Sequence, residues 1–433
     1  MKLAFVGGGS YAWGPPLLAD LALSTHLTGE VVLHDIDPVA GERLARLGTL
    51  LTAQSASPLA MRFTPSLEEA LDGADFVVLS ITTGGLAAMD GDLGIPESYG
   101  IMQPVGDTVG PGGLSRALRN IPVVVRLARA MEERCPKAWL INVTNPMTTL
   151  CRAVGKATGI RVIGLCHEVR SVQQGMATLL GSDDLTRDWQ VAGVNHLPWI
   201  TTLETAAAAR IMETAEKALA RRPLSADPFH DHFRVKLDLL AAYGTFPAAG
   251  DRHLAEFFPH YLRRPDEALA RYGVRMTTIE HRVARSTAAE TAVRRILEGE
   301  DPLPESKPSG EQVVPIIEAL LGHGSGMFVV NVRNDGRIAG LPEDVVVECM
   351  AEIDSSGIGP VPSPSLPPAA LAWTRTHATV QELIVSSALE QRMDLAVQAL
   401  LLDPLSWRLN RAELASLVKV LATHNARFGA PPI

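Results

Sequence analysis

The chain has 433 residues, of which 46% are apolar, and a formal net charge of −9 at neutral pH. This length predicts two lobes, and the apolar fraction is enough for a large buried core. Acidic and basic residues are interspersed without a basic tract, so nucleic acid and anionic membranes are not expected as partners. No apolar run reaches the roughly 18 residues that a membrane span needs, and the first residues already form a strand pattern, so we expect neither membrane insertion nor export.

Cysteine usage predicts the compartment. The chain has four cysteines, which are too scattered for a disulfide framework: Cys135, Cys151, Cys166 and Cys349. We therefore expect a reducing cytoplasm. Cys166 differs from the others because it directly follows an apolar strand pattern and precedes His167.

The most informative segment is at the N-terminus. An apolar strand pattern ends at Val6 and is followed by Gly7, Gly9 and Ala12, spaced as G-x-G-x-x-A. Such a turn lets the backbone approach a pyrophosphate, and the following helix directs its N–H groups at that charge. A second strand pattern ends at Asp35, where a carboxylate accepts hydrogen bonds from the ribose hydroxyls of NAD. The sequence therefore predicts a dinucleotide-binding site.

Strand and helix patterns alternate through residues 1–190, which we assign to one domain. The predicted strands are Lys2–Val6, Val31–Asp35, Phe76–Ile81, Trp139–Val143 and Val162–Leu165. Such alternation predicts a Rossmann-like α/β fold, a doubly wound parallel sheet with helices on both faces. Its ligands are expected beyond the carboxyl ends of the strands.

Residues 191–433 have a different pattern and are assigned to a helix-rich α+β domain for substrate, metal and subunit contacts. Its predicted helices are Thr205–Arg221, His230–Ala242, Pro265–Glu298, Leu371–Leu401 and Arg411–His424. Two short strands, Met327–Val332 and Val345–Glu348, are predicted around a turn at Asn334–Gly336.

Several polar residues at strand ends or in loops are candidates for chemistry, and each also has an ordinary structural explanation. Cys166 and His167 are equally explained as a core thiol beside a helix cap. His196 lies in an apolar stretch, where a hydrogen-bonded core histidine is common. Asp107 lies in a glycine-dense segment, which an ordinary solvated loop would also explain. Asn145 would also be explained as the cap of the next helix.

Taken in chain order, the segments resemble glycoside hydrolase family 4, the NAD- and divalent-metal-dependent glycosidases. The segments that carry the resemblance are Gly7–Ser10, Asp35–Asp37, Gly106–Gly113, Asn145–Met147, Cys166–Val169, Gly193–His196 and Asn331–Asn334. The tetrad Cys-His-Glu-Val at Cys166–Val169 is similar to that of the family's α-galacturonidases. One departure is Thr82-Thr83 before the pair Gly84-Gly85, where many members have an arginine.

The resemblance implies two cofactors. NAD would be held by Gly7, Gly9, Ser10 and Asp35. Cys166 and His196 would be the protein ligands of a divalent cation, usually Mn²⁺ in this family. By ligand softness alone a thiolate with an imidazole favours Zn²⁺, so the sequence does not select the metal.

The implied reaction begins with hydride transfer from sugar C3 to NAD⁺, which acidifies the C2 proton. Elimination of the C1 substituent, addition of water and return of the hydride complete the cycle. Asp251 is the expected C2 base, with Tyr243 as its rival. Asp107 is expected to assist the leaving group or orient metal-bound water. The expected substrate contacts are Asn145, His167 and Glu168, with Arg170 or Arg252 on the C6 carboxylate.

Other functions remain open on the sequence. A 2-hydroxy-acid dehydrogenase would share the N-terminal architecture but would need no metal and would accumulate NADH. A nucleotide-sensing protein would use the cysteine and histidine loops only structurally. Within the glycosidases, an α-glucuronidase differs only in the C4 configuration of its sugar. A homodimer or homotetramer is expected by resemblance alone.

Overall fold

The computed structural model describes all 433 residues, and its eleven strands form one sheet. The strands are β1 Lys2–Val6, β2 Gly29–His34, β3 Leu59–Thr64, β4 Phe76–Leu79, β5 Trp139–Asn142, β6 Arg161–Gly164, β7 Val191–Val194, β8 Leu197–Ile200, β9 Gly326–Arg333, β10 Val346–Asp354 and β11 Gly357–Pro360. Their order is 3-2-1-4-5-6-9-10-7-8, with β11 beside β10.

Six parallel strands form the half of the sheet that positions the site. In the order β3-β2-β1-β4-β5-β6, every neighbouring pair is parallel, with Val6 of β1 opposite His34 of β2 and Leu79 of β4. The chain runs outward from β1 in one direction and from β4 in the other. A crevice therefore opens between the loops that follow β1 and β4, which is where open α/β sheets bind ligands. The predicted Rossmann-like fold is confirmed.

Helices cover both faces of this sheet and build the remainder of the molecule. The helices are α1 Gly14–Leu23, α2 Pro38–Gln54, α3 Leu67–Leu71, α4 Gly85–Ser98, α5 Gly110–Arg134, α6 Met147–Ala157, α7 Glu168–Leu180, α8 Thr205–Leu219, α9 Arg234–Tyr243, α10 Asp251–Phe257, α11 Pro265–Glu267, α12 Ile279–Leu297, α13 Val313–Leu320, α14 Pro368–Glu390, α15 Met393–Leu402 and α16 Arg411–Ala426. Short 3₁₀ turns lie at Pro259–Leu262 and Pro404–Ser406, and a π turn at Ala268–Tyr272.

Two long predicted helices are each divided in the structure. The segment predicted as Pro265–Glu298 is interrupted at Gly273, whose φ of +73° ends the π turn before α12 begins at Ile279. The segment predicted as Leu371–Leu401 is divided at Gln391, where a φ of +56° separates α14 from α15. Apolar spacing continues across both breaks, which is why periodicity alone does not find them.

The strands after residue 190 belong to the same sheet rather than to a separate one. β9 pairs antiparallel with β6 through Asn331 and Gly164, and β10 then pairs with both β9 and β7. The sequence missed β3, β7, β8 and β11. β7 and β8 have four residues each, and such short apolar runs are not distinguishable from helix by pattern. No helix of the protein is both long and apolar enough to span a bilayer.

Candidate active site

A cavity of about 1140 Å³ lies at the carboxyl ends of the parallel strands. The loops after β1, β2, β4, β5 and β6 all contribute to its wall, and loops of the second half close the other side. Four residues predicted to bind NAD, Gly7, Gly9, Ser10 and Asp35, line one end. Their position follows directly from the strand order, because β1 and β2 are neighbours.

The glycine turn has the shape that close backbone approach requires. Gly7 has a φ of +85°, and a Cβ there would collide with the carbonyl oxygen of Ser80 in the loop after β4. A Cβ on Gly9 would lie 2.8 Å from a carboxylate oxygen of Asp35. That carboxylate accepts hydrogen bonds from the backbone N–H groups of Gly9 and Asp37, at 2.8 and 2.9 Å. Both glycines are therefore sterically required.

At the other end of the cavity, three side chains converge as a candidate metal group: Asp107, His196 and His253. One ligand atom from each lies within 4.8 Å of the others. The Nδ1 atoms of His196 and His253 each lie 3.9 Å from Oδ1 of Asp107. Nδ1 of His253 is buried and has no hydrogen-bond partner. Two imidazoles and a carboxylate are a donor set for a borderline divalent cation such as Mn²⁺ or Zn²⁺.

His196 is held in an unusual backbone conformation. β7 and β8 form a hairpin in which Val194 pairs with Leu197, so Asn195 and His196 alone make the turn. His196 has a φ of +65°, a region that costs a non-glycine residue of the order of 1 kcal/mol or more. The hydroxyl of Thr108 lies 2.8 Å from Nδ1 of His196 and donates to Asp107 at 2.7 Å. The turn therefore directs the imidazole toward the Asp107 loop.

The short helix α10 supplies the second histidine. His253 faces the cavity, whereas Glu256, almost one turn later, lies beneath the loop that carries Asp107. Oε1 of Glu256 accepts hydrogen bonds from the N–H groups of Val105 and Gly106 at 2.6 and 2.9 Å. α10 thus fixes both the imidazole and the position of the Asp107 loop.

Burial dominates the electrostatics of this group. It lowers the pKa of His196 to about 3 and that of His253 to about 4, so both imidazoles are neutral at neutral pH and able to ligate a cation. Burial alone would raise the pKa of Asp107, but His253, His196 and Arg116 together bring it below its usual value. Asp107 is therefore ionised at neutral pH.

The tetrad after β6 lies in the wall between the two ends of the cavity. Cys166, His167 and Glu168 all line it. Glu168 has its Oε1 3.9 Å from Nε2 of His167 and 4.0 Å from Nε2 of His253, and it accepts a hydrogen bond from the N–H of Gly250. Burial, and then the charges of Glu348 and Glu168, raise the pKa of the Cys166 thiol well above its usual value. Cys166 shares the cavity with His196 but is not one of the three converging donors.

Other predicted substrate residues are divided by the structure. Asn145 lines the cavity and donates to Asp107 Oδ2 at 3.2 Å, and Arg252 also lines the cavity. Arg170 is exposed on α7, near Gly310, and does not line the cavity.

The structure does not bring either predicted C2 base to the cavity. Asp251 is 3% exposed. Its carboxylate accepts hydrogen bonds from three N–H groups at the start of α9 and forms an ion pair with Lys236 at 2.7 Å. It is the N-terminal anchor of α9. Tyr243 accepts a hydrogen bond from Trp373 Nε1 and packs against Trp199. Both residues therefore have structural partners outside the cavity.

The site contains residues that the sequence did not single out for a role. His253 follows Arg252 and lies two residues after Asp251, both of which the sequence singled out, but the direction of its side chain depends on where α10 begins. Arg116 on α5 and Arg282 on α12 line the cavity and come from segments without a recognisable motif. The loop Thr82–Gly85 lacks the arginine expected there, but Arg119 of α5 contacts it. Arg119 Nε donates to Thr83 O at 2.7 Å.

Comparison with known proteins agrees with this architecture. Residues 2–182 match the model described as family 4 glycosyl hydrolase, and residues 191–406 match its C-terminal domain. An α-galacturonidase of Thermoanaerobacterium saccharolyticum is 36% identical over 94% of this chain and 91% of its own length.

Two solved structures are similar throughout. The Bacillus subtilis protein lplD, described as a glucosidase, is 33% identical with a TM-score of 0.89 and covers 97% of this chain and 99% of its own. A 6-phospho-α-glucosidase from gut microorganisms, solved with NAD and Mn²⁺, has a TM-score of 0.82 at 21% identity, over 100% of this chain and 99% of its own. The likeness to the latter concerns the fold alone. Given the two matching models and the identity over nearly the whole length, the chain belongs to glycosyl hydrolase family 4.

Proposed function

We propose that the protein is an α-galacturonidase that uses NAD and a divalent cation, Mn²⁺ first among the candidates. The observation that carries the proposal is that one cavity contains both the glycine turn Gly7–Ser10 and the Asp107, His196 and His253 group. A dehydrogenase of 2-hydroxy acids has no need of the second feature. The 36% identical α-galacturonidase supports the choice of substrate.

The residues present suit both cofactors. Gly7 and Gly9 leave no room for a side chain, which is the requirement for backbone approach to a pyrophosphate, and Asp35 follows β2 where a ribose would lie. The buried Nδ1 of His253, which has no hydrogen-bond partner, would gain one as a ligand of the cation. When bound, NAD would accept and return the C3 hydride, and the cation would polarise the neighbouring sugar oxygens as a Lewis acid.

The cation ligands that we propose are His196 with Asp107 and His253, and Cys166 as the thiolate that the family resemblance implies. Cys166 carries its proton in the free protein because burial raises the pKa of its thiol. Ligation by Cys166 would therefore release a proton, and cation affinity would rise with pH. Asn145 holds Asp107 through its amide N–H, which orients that carboxylate in the cavity.

Proton transfer is assigned to carboxylates that line the cavity. These are Asp35, Asp107 and Glu168, and Asp35 lies at the glycine-turn end. Asp107 belongs to the candidate metal group, and Asp35 accepts hydrogen bonds from the N–H groups of Gly9 and Asp37. Glu168 is the remaining carboxylate, and its Oε1 lies 3.9 Å from Nε2 of His167 and 4.0 Å from Nε2 of His253. We therefore place the acceptor of the C2 proton at Glu168, and Asp107 with the cation. We also propose that His167 and Asn145 bind sugar hydroxyls, Asn145 through its buried Oδ1, which has no hydrogen-bond partner and can accept one.

A single assay tests the proposal. The enzyme is incubated with p-nitrophenyl α-galacturonide, NAD⁺ and Mn²⁺ under reducing conditions, with parallel reactions on the α-glucuronide and the α-galactoside. We expect nitrophenol release from the galacturonide without net NADH, and loss of activity with EDTA. NADH forming in step with product, or activity that survives EDTA, would refute the glycosidase mechanism. Faster release from the glucuronide would reassign the sugar.

A further inference from the structure

Five arginines line the cavity, of which Arg126 and Arg285 are exposed. The other three are shielded from solvent and have no carboxylate in ion-pair contact: Arg116, Arg252 and Arg282. Each donates only to a neutral acceptor. Arg116 Nε donates to Asn145 O at 3.1 Å, Arg252 Nη1 to Thr277 Oγ1 at 2.5 Å, and Arg282 Nη2 to Val105 O at 3.3 Å. Elsewhere in this chain, whose net charge is −9, arginines such as Arg152, Arg294 and Arg392 are paired with acids.

Grouping these cations is unfavourable without an anion. Burial is the main cause that lowers the pKa of Arg282 to about 10. Asp107 opposes this shift by its attraction, whereas repulsion from Arg252 and Arg116 adds to it. A ligand carboxylate among these unpaired guanidinium groups would offset their mutual charge repulsion.

Arg282 is the member of the cluster with unused donors. Its Nε is buried and has no hydrogen-bond partner, and its one hydrogen bond is the long contact to Val105 O. Nε and an adjacent Nη of a guanidinium lie in one plane at the spacing of the two oxygens of a carboxylate, so together they can form a bidentate pair.

The position of the cluster selects the anion. Arg252 directly precedes His253 in α10, and Arg282 donates to Val105 O, two residues before Asp107, so both arginines lie at the metal end of the cavity. The pyrophosphate of a dinucleotide belongs at the opposite end, beside Gly7–Ser10. An anion at the metal end is therefore a group on the sugar.

We infer that Arg282, with Arg252 beside it, binds the C6 carboxylate of the substrate and selects uronides over neutral hexosides. This inference rests on the proposed function, since it assumes that the sugar binds at the metal end. Arg282 needs a fixed position for this role, and it lies on α12. Most of that helix faces solvent, but the Thr278 cap and the ion pair between Arg43 and Glu290 fix its position against the rest of the protein.

The test compares Arg282→Met and Arg282→Lys with the control Arg294→Met, which changes an exposed arginine of the same helix that is paired with Glu298. The substrates are p-nitrophenyl α-galacturonide and α-galactoside. We expect Arg282→Met to lower kcat/KM for the galacturonide by about 10- to 100-fold, mainly through KM, with little loss on the galactoside. Arg282→Lys should recover part of the lost kcat/KM, because lysine keeps the positive charge but lacks the planar guanidinium that binds both carboxylate oxygens. Equal losses on both substrates, or no loss on the galacturonide, would overturn the inference.

Calorimetric binding of free galacturonate and galactose to the NAD- and Mn²⁺-loaded protein separates the two proposals. If the wild type binds galacturonate but hydrolyses no galacturonide, the proposed function fails and the carboxylate site stands, provided that Arg282→Met abolishes the binding. If the wild type binds both sugars equally, or if Arg282→Met binds galacturonate as well as the wild type does, the carboxylate site fails.

Discussion

The imidazole rings of His196 and His253 face one another with their centroids 3.8 Å apart, although one lies on a hairpin turn and the other on α10. Such proximity is tolerable because burial keeps both rings neutral. The buried Nδ1 of His253 lacks a hydrogen-bond partner, and the carboxylates of Asp107 and Glu168 approach the ring only to 3.9 and 4.0 Å. The pair is best explained as two ligands of one cation, a relationship from which the first prediction follows.

We predict that His253→Ala weakens Mn²⁺ binding by at least tenfold, because it removes one of three converging donors. The matched control is His323→Ala, which changes an exposed histidine outside the cavity. Calorimetric titration of the metal-free protein with Mn²⁺ measures the effect. Unchanged affinity in the His253 variant would leave that residue without a role at the metal.

Cobalt substitution tests whether Cys166 joins the same cation. A thiolate ligand to Co²⁺ produces a sulfur-to-metal charge-transfer absorption, which imidazole and carboxylate ligands do not. We predict that the band is present in the wild type, absent in Cys166→Ser and retained in Cys151→Ser, which alters another buried free thiol. A spectrum without the band would restrict the ligands to Asp107, His196 and His253.

The N-terminal half of the site could be predicted because local sequence determines it. A glycine turn directly after a strand has one placement in a parallel sheet, so Gly7, Gly9 and Asp35 lie where the pattern put them. The same reasoning correctly placed Asn145 and Cys166 at strand ends, because those ends meet at one edge of the sheet.

The other half depended on information that the sequence pattern does not contain. In the segment around Asp251, the residues that face the cavity are decided by where α10 begins, and that start places Asp251 under α9 and His253 in the cavity. Arg282 lies on a helix whose outer face is polar, so its few inward-facing positions carry no apolar signal. Only the packing of α12 against the first half of the chain identifies it.

The reassignment of the base is tested by two isosteric variants. Glu168→Gln retains the shape that receives the N–H of Gly250 but cannot take a proton, and we predict a fall in kcat of about 10²- to 10⁴-fold. Asp251→Asn weakens a buried ion pair with Lys236, so we predict a loss of about 3 kcal/mol in the free energy of unfolding. The kcat of the folded Asp251 variant should change little. A large fall in kcat for Asp251→Asn, with wild-type stability and an active Glu168→Gln, would restore Asp251 as the base.

A glycine pair tests the dinucleotide end. We predict that Gly7→Ala abolishes NAD binding, because the residue has a φ of +85° and an added methyl group would collide with the carbonyl of Ser80. Gly155→Ala is the control, since that glycine lies in α6 with no atom within 4 Å of the added Cβ. It should bind NAD normally and gain about 0.5–1 kcal/mol in stability. Fluorescence titration with NADH and thermal unfolding provide the two measurements.

The last prediction concerns acid stability and a histidine far from this chemistry. His377 on α14 is 1% exposed, packs edge-on against Phe257, and has no hydrogen-bond partner on either ring nitrogen. Burial lowers its pKa from 6.5 to about 3, so between these values the unfolded chain binds a proton that the folded protein does not. Stability should therefore be complete above about pH 6.5 and fall as the pH drops toward 3, with a contribution approaching 1.4 kcal/mol per pH unit.

Phenylalanine at position 377 retains the aromatic packing and removes the titration. His377→Phe should consequently be as stable as the wild type or more stable at neutral pH, and its unfolding free energy should decline less steeply between pH 6 and 4. Urea unfolding at several pH values measures this slope. His323→Phe, at an exposed position, is the control, and its slope should match that of the wild type. An equally steep decline in His377→Phe would mean that the acid sensitivity originates elsewhere, with His196 and His253 the next groups to replace, because burial lowers their pKa values in the same direction.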